Sequence, residues 1–138
     1  MAEAVFKKMV RDEQLEEKIF VDSAGTSDWH VGKPPHQGTV AKLNEYGIST
    51  EGMRGRQLQK EDYDQFDYII GMDASNIEAI RHIFQTNDDT KIMRLLDLTD
   101  DKKDVPDPYF TGDFQETYDL VTKGCRKLLE KIKREHRL

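Results

Sequence analysis

The chain has one cysteine, Cys125, among 138 residues. An intramolecular disulfide is therefore excluded, and a reducing cytoplasm is the expected compartment. No apolar run approaches the roughly 20 residues needed to cross a bilayer. The N-terminal stretch "MAEAVFKKMV" lacks the unbroken apolar segment of a signal peptide. Basic residues are outnumbered, 21 Lys and Arg against 27 Asp and Glu, for a formal net charge of -6. That balance excludes a general nucleic-acid surface, which needs a basic face. The four histidines, His30, His36, His82 and His136, show no metal-ligand spacing. The acids Asp97, Asp100, Asp101, Asp104 and Asp107 lack the glycine-centred loop and closing glutamate of a calcium hand. No metal or other cofactor is expected, and most of these acids read as a solvated face. Internal repeats and low-complexity tracts are also missing. The length suits one ordinary domain.

What is present is an alternation of periods. Residues 1 to about 13 carry Ala2, Val5, Phe6, Met9 and Val10 on one helical stripe. Ile19 to Val21 is a short β-prone run that breaks at Gly25. A loop with Gly32, Pro34 and Pro35 follows, and then a helix from about His36 to Tyr46 that Gly47 closes. "DYIIGMD" is a buried strand candidate. Ser75 with Glu78 reads as a capping box, ahead of Ile77, Ile80, Ile83 and Phe84. "KIMRLL" is a third strand candidate. Asp113 with Glu116 is a second capping box. It opens a long helix with Phe114, Tyr118, Val121, Cys125, Leu128 and Ile132 on one stripe. The order α-β-α-β-α-β-α predicts an α/β sandwich, three layers around a parallel sheet. Ligands of such sheets bind beyond the C-terminal strand ends. "DSAGTSDW" and "GMDASN" are therefore the segments to inspect.

Four residues invite a chemical reading. Cys125 sits on an apolar helical stripe with no cation near it, so it reads as a core thiol and not a nucleophile. Asp107 lies between Pro106 and Pro108, with Tyr109 and Phe110 after it. The prolines stiffen the loop, and two aromatics could lower the local dielectric and raise the carboxyl pKa, as a general acid requires. The same residues also suit a plain turn. Trp29, the sole tryptophan, is either a cleft wall or a loop anchor. Ser23 supports a loop or caps a turn, since no G-x-S-x-G elbow surrounds it.

Five stretches, "MAEAVFKKMV", "VDSAGTSDWHVGKPPH", "RQLQKEDYDQFDYIIGMDASN", "DPYFTGDFQETYDLV" and "CRKLLEKI", together resemble the low-molecular-weight protein tyrosine phosphatases. They run in the family's order and cover nearly the whole chain. "FDYIIGMDASN" with "DPYF" is the most specific pairing. The resemblance implies a phosphotyrosine protein phosphatase I-like fold, with a four-stranded parallel sheet flanked by helices. It implies a metal-independent hydrolase acting on a phosphotyrosine protein or a small aryl phosphate. In that reaction a cysteine thiolate attacks phosphorus and the arginine of a C-x5-R loop clamps the phosphoryl oxygens. An aspartate protonates the departing phenolate and later deprotonates the attacking water. Carried over by position, Asp107 is the general acid. Tyr109 and Phe110 are the two aromatics after it, where the family usually has Tyr-Tyr. Trp29 lines the cleft, and Ser23 and Asp73 support the phosphate loop. A histidine usual in that support network has no match in "EGMRGRQ".

The largest departure is at the start. In the family a strand and a "C-x5-R-S-P" loop come immediately before "MAEAVF"-like text, and these 138 residues contain neither. Read this way, the chain is a single phosphatase-like domain, residues 1–138, truncated at its N-terminus and without its first central strand. It is expected to be inactive, and to dimerise or exchange strands to cover the exposed sheet edges. Two origins are open. One is a shortened product of a phosphatase gene. The other is a non-catalytic relative that binds partners through the residual aromatic cleft. An in-frame "C-x5-R-S-P" in the DNA upstream of Met1 would decide for the first. Relatives of this architecture also act on phosphoarginine or arsenate. The single Cys125 argues against arsenate reduction, which needs further redox cysteines.

Overall fold

The longest periodic run in the sequence forms the longest element. In the computed structural model, which describes residues 1–27 and 31–138, helix α6 spans Phe114–His136 and its N-cap Asp113 accepts from the Glu116 N–H at 2.9 Å. The expected stripe is buried at Val121, Cys125, Leu128 and Ile132, while Phe114 and Tyr118 are half-buried. Thr117, Gly124 and Leu129 are buried as well. The buried face is wide because α6 meets several elements. Helix α1, Ala2–Asp12, lays Ala4, Val5, Phe6 and Val10 against it. The 3₁₀ turn Leu95–Leu98 packs on it through Leu95 and Leu96.

Helix α2, Gln37–Glu45, starts at His36, whose Nδ1 accepts from the Gly38 N–H at 3.0 Å. It ends where Gly47 takes a φ of 70°, as the glycine signal predicts. A one-turn helix α3, Asp62–Gln65, leads into strand β1, Ile69–Gly71. Helix α4, Ala74–Phe84, and strand β2, Ile92–Arg94, follow. The strands pair in parallel with Ile69 opposite Ile92, Ile70 opposite Met93 and Gly71 opposite Arg94. Ile69, Ile77, Ile80, Phe84 and Ile92 form a second apolar cluster between α4 and this sheet. The capping box expected at Ser75 is corrected. Asp73 is the N-cap and accepts from the Asn76 N–H at 2.7 Å, and Ser75 stands inside the helix donating to Asp73. Asp and Ser are comparable caps, and the carboxylate adds a favourable charge at the positive helix end.

The expected first strand, Ile19–Val21, is also corrected. Among the described residues the sheet has two strands, and this segment is extended but outside it. Its continuation is held elsewhere. Gly25 exchanges hydrogen bonds with Arg56 and Leu58, both at 2.8 Å. Arg56 donates to Asp22 at 3.0 Å and to the buried Asp62 at 3.0 and 3.3 Å. Burial alone would raise the Asp62 carboxyl, but the Arg56 guanidinium and the Gln59 N–H outweigh it and hold it below its ordinary value. A groove of about 530 Å³ remains beside β1. It is lined by Ile19 and Val21, by Tyr68 and Ile70, and by Phe6 and Leu128.

Candidate functional site

Two hydrogen bonds bring the proline-punctuated loop to the C-terminal end of β1. The Val105 N–H donates to the Met72 carbonyl at 2.8 Å, and Asp104 accepts from the Ala74 N–H at 2.9 Å. On its other side the loop is tied to α6, where the Thr117 hydroxyl donates to the Pro106 carbonyl at 3.1 Å. Asp107 is therefore anchored from both sides. It caps the short helix α5, Pro108–Thr111, with Oδ1 accepting from the Tyr109 N–H at 2.9 Å. Its carboxylate is exposed, and only Oδ1 accepts a hydrogen bond among the described residues. This is a fixed, solvent-facing carboxyl at the end of the sheet where ligands bind.

The aromatics after Asp107 do not enclose it. Tyr109 is 71% and Phe110 83% exposed, so the expected low-dielectric pocket around Asp107 is not formed within the described residues. Tyr109 instead meets His36 edge-on at 5.7 Å, and the His36 ring stacks on Phe114 at 5.6 Å. His36 thus joins the α2 start, α5 and α6. Sequence reasoning missed this role. The only local signal was a polar residue after Pro34-Pro35 at a helix start.

Asp73 and Asp107 share the same sheet end through the Met72–Val105 bond. Ser23 is held by other partners. Its hydroxyl donates to the Glu3 carboxylate in the first turn of α1, and its N–H donates to Asp22 at 2.8 Å. Trp29 lies outside the described residues. Cys125 is buried in the core, where burial pushes its thiol up to about 12. Such a thiol carries almost no thiolate at neutral pH and is no nucleophile. The acidic loop is neutralised by cations, with Asp97 and Asp104 on Arg94 and Asp101 on Lys123. Among the described residues no group of His, Cys, Asp and Glu is arranged to hold a metal ion, and no helix is long and apolar enough to cross a membrane.

Known proteins share this sequence and fold. YfkJ of Bacillus subtilis, a low molecular weight protein-tyrosine-phosphatase, is 47% identical over 140 residues, covering 100% of this chain and 90% of YfkJ. PtpA of Staphylococcus aureus, with the same description, is 37% identical over 139 residues, covering 100% of this chain and 88% of PtpA. The crystal structure of YfkJ superposes with a TM-score of 0.93 over 97% of this chain and 86% of that one. The sequence profile of the low molecular weight phosphotyrosine protein phosphatases matches residues 1–138, and the chain belongs to that family.

Proposed function

We propose that these residues supply the general-acid side of a metal-independent phosphotyrosine hydrolysis, and that the polypeptide 1–138 taken alone does not catalyse it. The anchored carboxylate of Asp107 carries this reading. In the reaction a cysteine thiolate displaces the phenolate from phosphorus. Asp107 gives its proton to the departing oxygen, and the same carboxylate then takes a proton from the water that breaks the sulfur–phosphorus bond. Tyr109 and Phe110 offer aromatic surface to the aryl group, with Trp29 as a further wall. Asp73 and Ser23 brace the backbone around the phosphate. Nothing within residues 1–138 supplies the first step, because the sole cysteine is the buried Cys125. Purified polypeptide 1–138 is expected to give no cysteine-dependent hydrolysis of phenyl phosphate. Turnover that disappears on alkylation, or in the Cys125→Ser variant, would overturn this.

The cytoplasm is the proposed compartment, on the single-cysteine argument above. The groove beside β1 supports a second reading for the isolated polypeptide, in which two copies associate to cover it. Its apolar lining, Ile19, Val21 and Ile70 among them, favours burial over exposure. Light scattering is expected to return twice the 16.1 kDa chain mass. A monomeric mass with a cooperative thermal melt would count decisively against self-association.

A further inference from the structure

A second groove, of about 640 Å³, runs where α1 and α6 meet the chain after α2. Its volume is that of a small-ligand site, and its lining includes none of Asp107, Tyr109 or Phe110. The nearly fully buried Val5, Ile48 and Leu129 lie at its floor. Tyr46 and Tyr118 stack face to face at 4.0 Å and 10°, and the Gln115 side chain fixes the Tyr46 hydroxyl with a 2.8 Å hydrogen bond. A preformed pair of flat rings is a wall for a flat ligand.

The rim charges select the head group. Lys8 is paired with Asp12 and Lys133 with Glu13. Glu130 leans on Lys127 at 3.6 Å. Arg126 is exposed and, among the described residues, forms no salt bridge. Each of the three acids has a lysine partner, so among the described residues Arg126 is the lining charge left to meet an anionic head group. Its planar fork matches a carboxylate. Thr122 also lines the groove.

We propose that this groove binds a small aromatic monocarboxylate, its ring against the Tyr46–Tyr118 wall and its carboxylate on Arg126. The inference goes beyond the phosphatase reading and does not depend on it. The test is an amide and side-chain NMR titration of polypeptide 1–138 with phenylacetate to about 10 mM, ten times a Kd of about 1 mM. Saturable shifts are expected at Tyr46, Tyr118, Thr122 and Arg126. Phenylacetamide, without the charge, and the Arg126→Gln variant should each weaken binding about twofold to fivefold, the loss expected for a solvent-exposed ion pair. Arg126 is exposed on α6, so the variant keeps the fold, and its unchanged amide spectrum checks that. Three results would each overturn the proposal. One is no saturable shift at these residues. Another is equal binding by Arg126→Gln or by the amide. The last is shifts that follow protein concentration alone, which would assign the groove to self-association.

Discussion

Leu95→Ala is expected to cost about 2–5 kcal/mol of stability, and Gly124→Ala in the same protein is expected to recover part of that loss. Leu95 is 1% exposed and sits in the 3₁₀ turn that packs on α6. Gly124 on α6 faces it so closely that a Cβ there would stand 2.5 Å from Leu95 Cγ and 2.9 Å from Cδ2. Leu95 therefore occupies the space that any other residue at position 124 would need. Alone, Gly124→Ala overpacks this contact at a cost of about 1–3 kcal/mol, against a helix-propensity gain of about 1 kcal/mol. After Leu95→Ala the obstructing atoms are gone and the new methyl partly fills the cavity. The two changes should then be non-additive by more than about 0.5 kcal/mol, read from urea unfolding with an unchanged m-value. Strict additivity, or a Leu95→Ala cost below about 1 kcal/mol, would mean that this contact does not organise the core.

The same contact shows where local reading ends. The α6 stripe and the Asp113 cap were legible because both depend on residues three or four apart. A capping carboxylate and the N–H it serves are neighbours in sequence. The position of Asp107 was legible for a similar reason, since Pro106 and Pro108 restrict it whatever the rest of the chain does. Sequence pattern did not show that Gly124 exists to admit Leu95, because nothing local couples positions 29 residues apart. Ile19–Val21 has the composition of a strand, but strand pairing is decided by a distant neighbour. Here the nearby backbone bonds form between Gly25 and the 56–58 run. Asp73 prevailed over Ser75 because both are acceptable caps, and the end of β1 at Gly71 decides which comes first. The exposure of Tyr109 and Phe110 was the least legible feature. Aromatics beside a turn usually mark core, and only the packing of α5 shows these two facing outward.

Asp107→Asn is expected to lower kcat by about 10²–10⁴ in an extended polypeptide carrying a strand and a C-x5-R loop ahead of Met1. The size of the loss should depend on the leaving group. A phenolate such as that of tyrosine has a conjugate acid of pKa about 10 and leaves slowly without a proton. An activated phenolate of much lower basicity leaves nearly as well unaided. The variant should therefore lose far more on phosphotyrosine or phenyl phosphate than on a nitrophenyl phosphate. Asparagine keeps the size of the side chain and the acceptor that caps the Tyr109 N–H at 2.9 Å, so α5 stays in place and the loss reports the missing proton. Asp107→Ala removes proton and cap together and is expected to weaken aryl binding as well. An equal loss across leaving groups would show that Asp107 acts by holding the loop and not by transferring a proton. No loss on phenyl phosphate would remove it from the chemistry altogether. Either result would leave the stiffness of the Pro106–Pro108 segment to be explained by the two anchors at Met72 and Thr117 alone.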